Sequence, residues 1–236
     1  MSLSAPRSRG FSLIEMLVVI TIVVMLLALA TPALTRTMQA SRLSAAGEAM
    51  VGSLSEAQQT ASSTNSPVEI RFFSFAEDQD QSPVYHAYQL FKITQVNQGG
   101  NGGAVNIQEV MTPVGNLVRL PEGIIIPADD TLSGAIYTKG GGVNDTKPGS
   151  SSGYSGVNGA KYNAIRFMPD GSCLVVGAAT QGGMAVTTTP KDLSKNCFTL
   201  TFGSGTPVTQ ANLPKNFFVI QIDPYTGKVR SYKPGF

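Results

Sequence analysis

Tryptophan is absent from this 236-residue chain, which holds one histidine and two cysteines. That inventory is too thin for a Cys/His metal cluster or a disulfide-stapled scaffold. A Ser-His-Asp set would have to use His86, which lies in the strand-like stretch Tyr85-His86-Ala87-Tyr88. A lone histidine there is ordinarily a surface or half-buried strand residue. Charge is also scarce: 14% of residues are Asp, Glu, Lys or Arg, against about 25% in an average globular domain. The formal net charge is +2, and removing Arg7 and Arg9 from the seventeen bases leaves fifteen facing fifteen acids. A neutral remainder gives no general attraction to nucleic acid or another polyanion. The glycine-rich segments are not followed by Gly-Lys-Ser or Gly-Lys-Thr, so none matches a phosphate-binding loop. Asp129-Asp130 lacks the ligand series of an EF-hand. No catalytic set, metal site or cofactor site is legible, and the expectation is a protein that is not an enzyme and carries no cofactor.

What is present is concentrated at the N-terminus. Residues 1–10 are short, polar and positive, with Arg7, Arg9 and no acid. An apolar run extends from Phe11 to Ala30. Twenty helical residues rise about 30 Å, the thickness of a bilayer's hydrocarbon core. The only ionisable residue in the run is Glu15. A carboxylate in hydrocarbon costs on the order of 2.5–3.5 kcal/mol by insertion scales, so this position calls for a partner or for proximity to the membrane surface.

Gly10-Phe11-Ser12-Leu13-Ile14-Glu15 resembles the class III signal of type IV prepilins and pseudopilins. The resemblance implies a leader at residues 1–10, cut after Gly10, with the new N-terminus at Phe11 N-methylated. It assigns assembly roles to Glu15, the acid just past the junction, and to Pro32, which stands where the family's helix is often interrupted. In the family the glutamate is thought to pair with the N-terminal ammonium of a neighbouring subunit. Two desolvated opposite charges attract strongly, while either one alone is costly. The resemblance further implies a structural subunit, a pseudopilin or minor pilin, of a type II secretion pseudopilus or type IV pilus-like filament. Its partners would be other pilins, a prepilin peptidase with methyltransferase activity and an inner-membrane assembly platform. The precursor would cross the inner membrane once, its globular domain in the periplasm, before entering a periplasmic or surface filament. A rival reading takes Ala28-Leu29-Ala30 as an ordinary secretory cleavage site, releasing a soluble binding domain from Thr31. Against it, Glu15 interrupts the apolar region, which exceeds the usual 7–15 residues.

Beyond Pro32 the pattern turns amphipathic. Leu43, Ala46, Met50, Leu54, Ala57 and Ala61 recur at spacings of three and four and make one helical face. The spacing predicts a helix to about Ser62, stopped by Ser63-Thr64-Asn65-Ser66-Pro67. Residues 11–34 then form the membrane or filament-core part and 35–64 an amphipathic continuation. Residues 65–236 read as β. Val68-Glu69-Ile70-Arg71-Phe72 alternates as a half-buried strand should, and further strands are expected at Tyr85–Val96, Val105–Met111, Ala164–Met168, Cys173–Val176, Phe217–Ile222 and Lys228–Tyr232. A Gly/Ser-rich loop covers 139–160. The predicted fold is α+β and pilin-like: one long N-terminal helix packed on an antiparallel β-sheet domain.

The β region carries a second resemblance. Phe167-Met168-Pro169-Asp170-Gly171-Ser172 and Gly227-Lys228-Val229-Arg230 resemble the GspH/FimT group of minor pseudopilins. The closing Gln221–Arg230 stretch also resembles Verru_Chthon cassette protein D pilin-like proteins. FimT-like pilins that capture DNA end in Gly-Arg-x-Arg, and here lysine stands at 228. This implies an alternative function in which Lys228, Arg230 and Lys233 contact nucleic acid, against the bland reading of a solvated strand face. Cys173 and Cys197 fall in predicted strands of a domain that leaves the cytoplasm. A disulfide would close a loop of about 25 residues and stabilise by roughly 3 kcal/mol; the alternative is two buried thiols.

Overall fold

The computed structural model describes residues 12–75, 84–97, 107–136, 143–144, 161–176, 196–203 and 206–234. The chain divides into two units, residues 1–41 and Arg42–Phe236, and each is described by itself. Helix α1 runs Leu13–Thr64 and crosses that division. Pro32 lacks a backbone donor, yet α1 continues on both sides of it. The helix outlasts the expected Ser62 by two residues. Ser63 and Thr64 turn their hydroxyls back onto the Thr60 carbonyl, at 3.3 and 2.8 Å, which keeps them helical. Asn65 then takes φ 47°, the Ser66 amide donates to the Ala61 carbonyl at 3.3 Å, and Pro67 comes next. That closure is a left-handed cap of Schellman type, with asparagine in the place glycine usually takes.

Among the described residues the second unit holds two antiparallel sheets. The first contains β1 (Val68–Phe75), β2 (Val84–Asn97), β3 (Ile107–Arg119), β5 (Val143–Asn144), β6 (Lys161–Phe167) and β7 (Cys173–Val176). Its order is β3-β2-β1-β6-β5, with β7 also on β6. The second contains β4 (Ile124–Ile125), β8 (Cys197–Phe202), β9 (Phe217–Ile222) and β10 (Val229–Tyr232), in the order β10-β9-β8-β4. The α+β expectation holds, with the single expected sheet realised as two. The six-residue stripe Leu43 to Ala61 is buried throughout and joins one core with Ile70, Phe72, Ile165, Phe198, Leu200, Phe218 and Ile220. Phe72 of the first sheet meets Phe198 of the second edge-on at 5.4 Å between ring centroids, so both sheets share that core with the helix. Burying a Leu, Met or Phe side chain contributes roughly 1.5–3 kcal/mol, which makes this stripe the main hold on the second part of α1.

Strand β3 is longer than expected and starts two residues later. It includes Pro113 and Gly115, both ordinarily strand breakers. They are tolerated because β3 is the sheet's outer strand, and Gly115, at φ 75°, sits where the pairing with β2 shifts between Tyr88 and Leu90. The expected loop 139–160 lies outside the described residues except Val143-Asn144, which pair with Tyr162 and Lys161.

One expectation is corrected. Alternation predicts a half-buried β1, but both its faces are buried: Val68, Ile70 and Phe72 on one, Glu69, Arg71 and Phe73 on the other. The reason is the β2–β3 arm. β1 pairs with β2 as far as Val68↔Lys92, whereas β2 and β3 stay paired beyond it to Asn97↔Ile107. Glu109, on that overhang, contacts Arg166 of β6, although β3 and β6 are three strand spacings apart. In a flat sheet that would be roughly 14 Å. The overhang therefore coils back across the sheet face opposite α1 and covers it.

Candidate assembly segment and charged sites

The cleavage junction Gly10-Phe11 lies outside the described residues. Glu15 is exposed in the first turn of α1, where its backbone amide donates to the Ser12 carbonyl at 3.0 Å. An acid there suits the positive end of the helix dipole. Its carboxylate has no ion-pair partner among the described residues. From Leu13 to Leu27 the large apolar side chains lie 47–84% exposed, on every side of the helix. Thr21, the hydroxyl in their midst, donates to the Leu17 carbonyl at 2.8 Å, so it needs no outside partner. Among the described residues no helix is long and apolar enough to cross a membrane. Pro32 is placed within continuous helix.

Lys233 pairs with Glu48 of α1 at 2.9 Å and lies 5.3 Å from the Phe218 ring centre. Lys228 and Arg230 are exposed. Arg230 lies near Asp223 and helps hold that carboxyl below the usual range, after the larger effect of the Tyr225 amide that donates to it. Tyr232, on the same strand, donates to Gln221 at 3.1 Å. Both cysteines are free thiols, Cys173 on β7 of the first sheet and Cys197 on β8 of the second. Burial pushes both thiols up. Asp129 accepts hydrogen bonds from the Thr131 and Leu132 amides at 2.9 and 3.0 Å and so serves as a turn former. Among the described residues no three His, Cys, Asp or Glu side chains are grouped for a metal.

A charged network escaped the sequence reading. Glu69 accepts from Arg71 Nε at 2.7 Å on one oxygen, and from Arg166 Nε and Nη2 at 3.2 and 2.9 Å on the other. Arg166 reaches Glu109 with both terminal nitrogens at 3.1 Å. Arg71 is held between the rings of Phe91 and Tyr162, at 4.8 and 4.2 Å, with Nη2 against the Met111 sulfur. Burial works against the charge on Arg166, but Glu69 and Glu109 outweigh it and hold its pKa above the usual value. The available signal was Glu69-x-Arg71, two opposite charges on one strand face. Alternation made it read as a wet face.

A profile of the prokaryotic N-terminal methylation motif matches residues 5–31. No curated protein and no solved structure matches the chain significantly. The matched motif implies a membrane-anchored precursor, processing by a prepilin peptidase, and assembly with other pilins. The motif and the α+β fold behind it are together consistent with a type IV pilin-like protein.

Proposed function

We propose that the chain is a structural, non-catalytic subunit, a pseudopilin or minor pilin, of a type II secretion pseudopilus or type IV pilus-like filament. The observation that carries this reading is the apolar surface from Leu13 to Leu27, exposed all round. A helix apolar on every side needs lipid or other helices around it. The methylation motif over that segment supplies the sequence of events. The precursor is held in the inner membrane by its apolar run, with the second unit in the periplasm. Cleavage after Gly10 exposes an ammonium at Phe11, which methylation leaves charged. As helices move from lipid into the filament, Glu15 of one subunit meets the Phe11 ammonium of its neighbour. Neither charge is tolerable alone in a low-dielectric core, so this pairing sets the register between subunits.

N-terminal sequencing of the mature protein tests the processing: N-methylated Phe11 is expected, and Thr31 would overturn it in favour of a released soluble domain. Glu15→Val tests the assembly. The variant should insert and be cut normally but enter filaments poorly, and normal incorporation would remove the charge-pairing role.

A further inference from the structure

Away from the N-terminal segment, the network of Glu69, Arg71, Arg166 and Glu109 has a property that filament assembly does not use. Glu69, Arg71 and Arg166 are 1–3% exposed, and among them two guanidiniums face one carboxylate. An uncompensated buried charge is strongly unfavourable. The missing negative charge comes from Glu109, on the β2–β3 arm, through a two-pronged contact at 3.1 Å. Its side chain is 23% exposed, so water reaches this link and not the deeper ones. The receiving side is built without the arm's carboxylate. Glu69 orients Arg166 through Nε and Nη2, while its other oxygen is held by Arg71. Glu69 is thereby engaged on both sides, and Arg166 Nη1 is left facing outward to Glu109.

We propose that the β2–β3 arm is a releasable strap with Glu109 as its clasp, and that Arg166, backed by Glu69 and Arg71, is a carboxylate-binding seat which the chain fills with its own side chain. The remaining hold on the arm is small: Met111 packs on the Phe73–Ala87–Phe91 cluster with its sulfur against Arg71 Nη2, and at the arm's base the Ile93 amide donates to the Pro67 carbonyl at 2.8 Å. Opening the strap uncovers aromatic rings beside guanidiniums, a surface suited to a carboxylate flanked by apolar side chains. This inference is independent of the filament reading.

Hydrogen exchange on the full-length, detergent-solubilised chain tests it, read at amides 93–97 and 107–111 with β8 and β9 as internal reference. In Glu109→Ala the arm amides should exchange faster by roughly tenfold or more while the reference strands stay unchanged. Acetate, compared with chloride at equal ionic strength, should slow them again in Glu109→Ala by refilling the seat. It should do nothing to the wild type. Glu109→Gln keeps the shape and loses the charge; it guards against a folding failure, and should loosen the arm without responding to acetate. Arm exchange at the wild-type rate in either variant overturns the clasp. Acetate acting no better than chloride on Glu109→Ala overturns the carboxylate seat.

Discussion

Gly47 of α1 lies so close to Phe218 of β9 that a Cβ built on it would sit 2.6 Å from three ring atoms. Phe218 is itself 1% exposed, so the ring has nowhere to go. The helix approaches the second sheet this closely because residue 47 has no side chain. Gly47→Ala gains helix propensity of about 1 kcal/mol but overpacks a closed core, at about 1–3 kcal/mol. Gly52, five residues on, has nothing within 4 Å of its built Cβ, so Gly52→Ala collects the propensity gain alone. The expected outcome is opposite signs from the same substitution, with denaturant midpoints lower for Gly47→Ala and higher for Gly52→Ala.

A second close approach joins the two sheets. Gly227, at φ 64°, has a built Cβ 2.6 Å from the Gly171 carbonyl oxygen and 3.0 Å from Gln58 Nε2. Two hairpin turns and the helix meet there: the Cys173 amide donates to the Pro224 carbonyl at 2.7 Å, and Gln58 Nε2 donates to the Thr226 carbonyl at 2.6 Å. Gly227→Ala adds left-handed strain of roughly 1–2 kcal/mol to a backbone clash that no side-chain rotation relieves. Destabilisation by roughly 2 kcal/mol or more is expected in equilibrium unfolding, well beyond that of Gln58→Ala, which removes one exposed hydrogen bond.

Acid should loosen both turns. Asp170 is held below the usual carboxylate range by the Ser172 hydroxyl and amide, and Asp223 by the Tyr225 amide first. Folded values below unfolded ones mean that the unfolded chain binds more protons near pH 4. The contribution is therefore present above the unfolded value and is lost as pH falls through the folded ones. The double variant Asp170→Asn, Asp223→Asn should show a flatter loss of stability below about pH 4 than the wild type, measured by urea midpoints across that range.

The cysteines give a chemical readout. Both thiols are pushed up by burial, and Cys173 is the more deeply buried. Since the thiolate is the reacting species, native-state alkylation at neutral pH should be slow at both positions and slowest at Cys173. In denaturant without reductant, two adducts are expected by mass. A single species with none would mean that the two sulfurs are bonded in the isolated protein.

Local pattern carried the helix well. Leu43 to Ala61 is buried residue for residue because a three-four spacing admits one buried face, and Asn65-Ser66-Pro67 closed the helix near where turn chemistry expects it. The turns Pro169-Asp170-Gly171 and Asp223–Gly227 were equally legible, since their glycines take positive φ. Less was legible in β3, where Pro113 and Gly115 imitate a strand end and only the strand's place at the sheet's edge makes them acceptable. In the candidate site, Glu15 stands out as a lone acid in an apolar run, whereas Arg166 and Glu109 are 57 residues apart and carry no shared local signal.

Sequence by itself determined the N-terminal motif, the single long helix and the β character of the residues beyond it, because each depends on neighbours within a few positions along the chain. Tertiary structure decided that β1 is buried on both faces, that Lys233 turns to Glu48, and that Glu69, Arg71, Arg166 and Glu109 form one neutral network. Strand alternation records that polar and apolar residues face opposite ways. It cannot record whether a later segment of chain comes back to cover the polar side, and that return is what turns a solvated row of charges into a buried one.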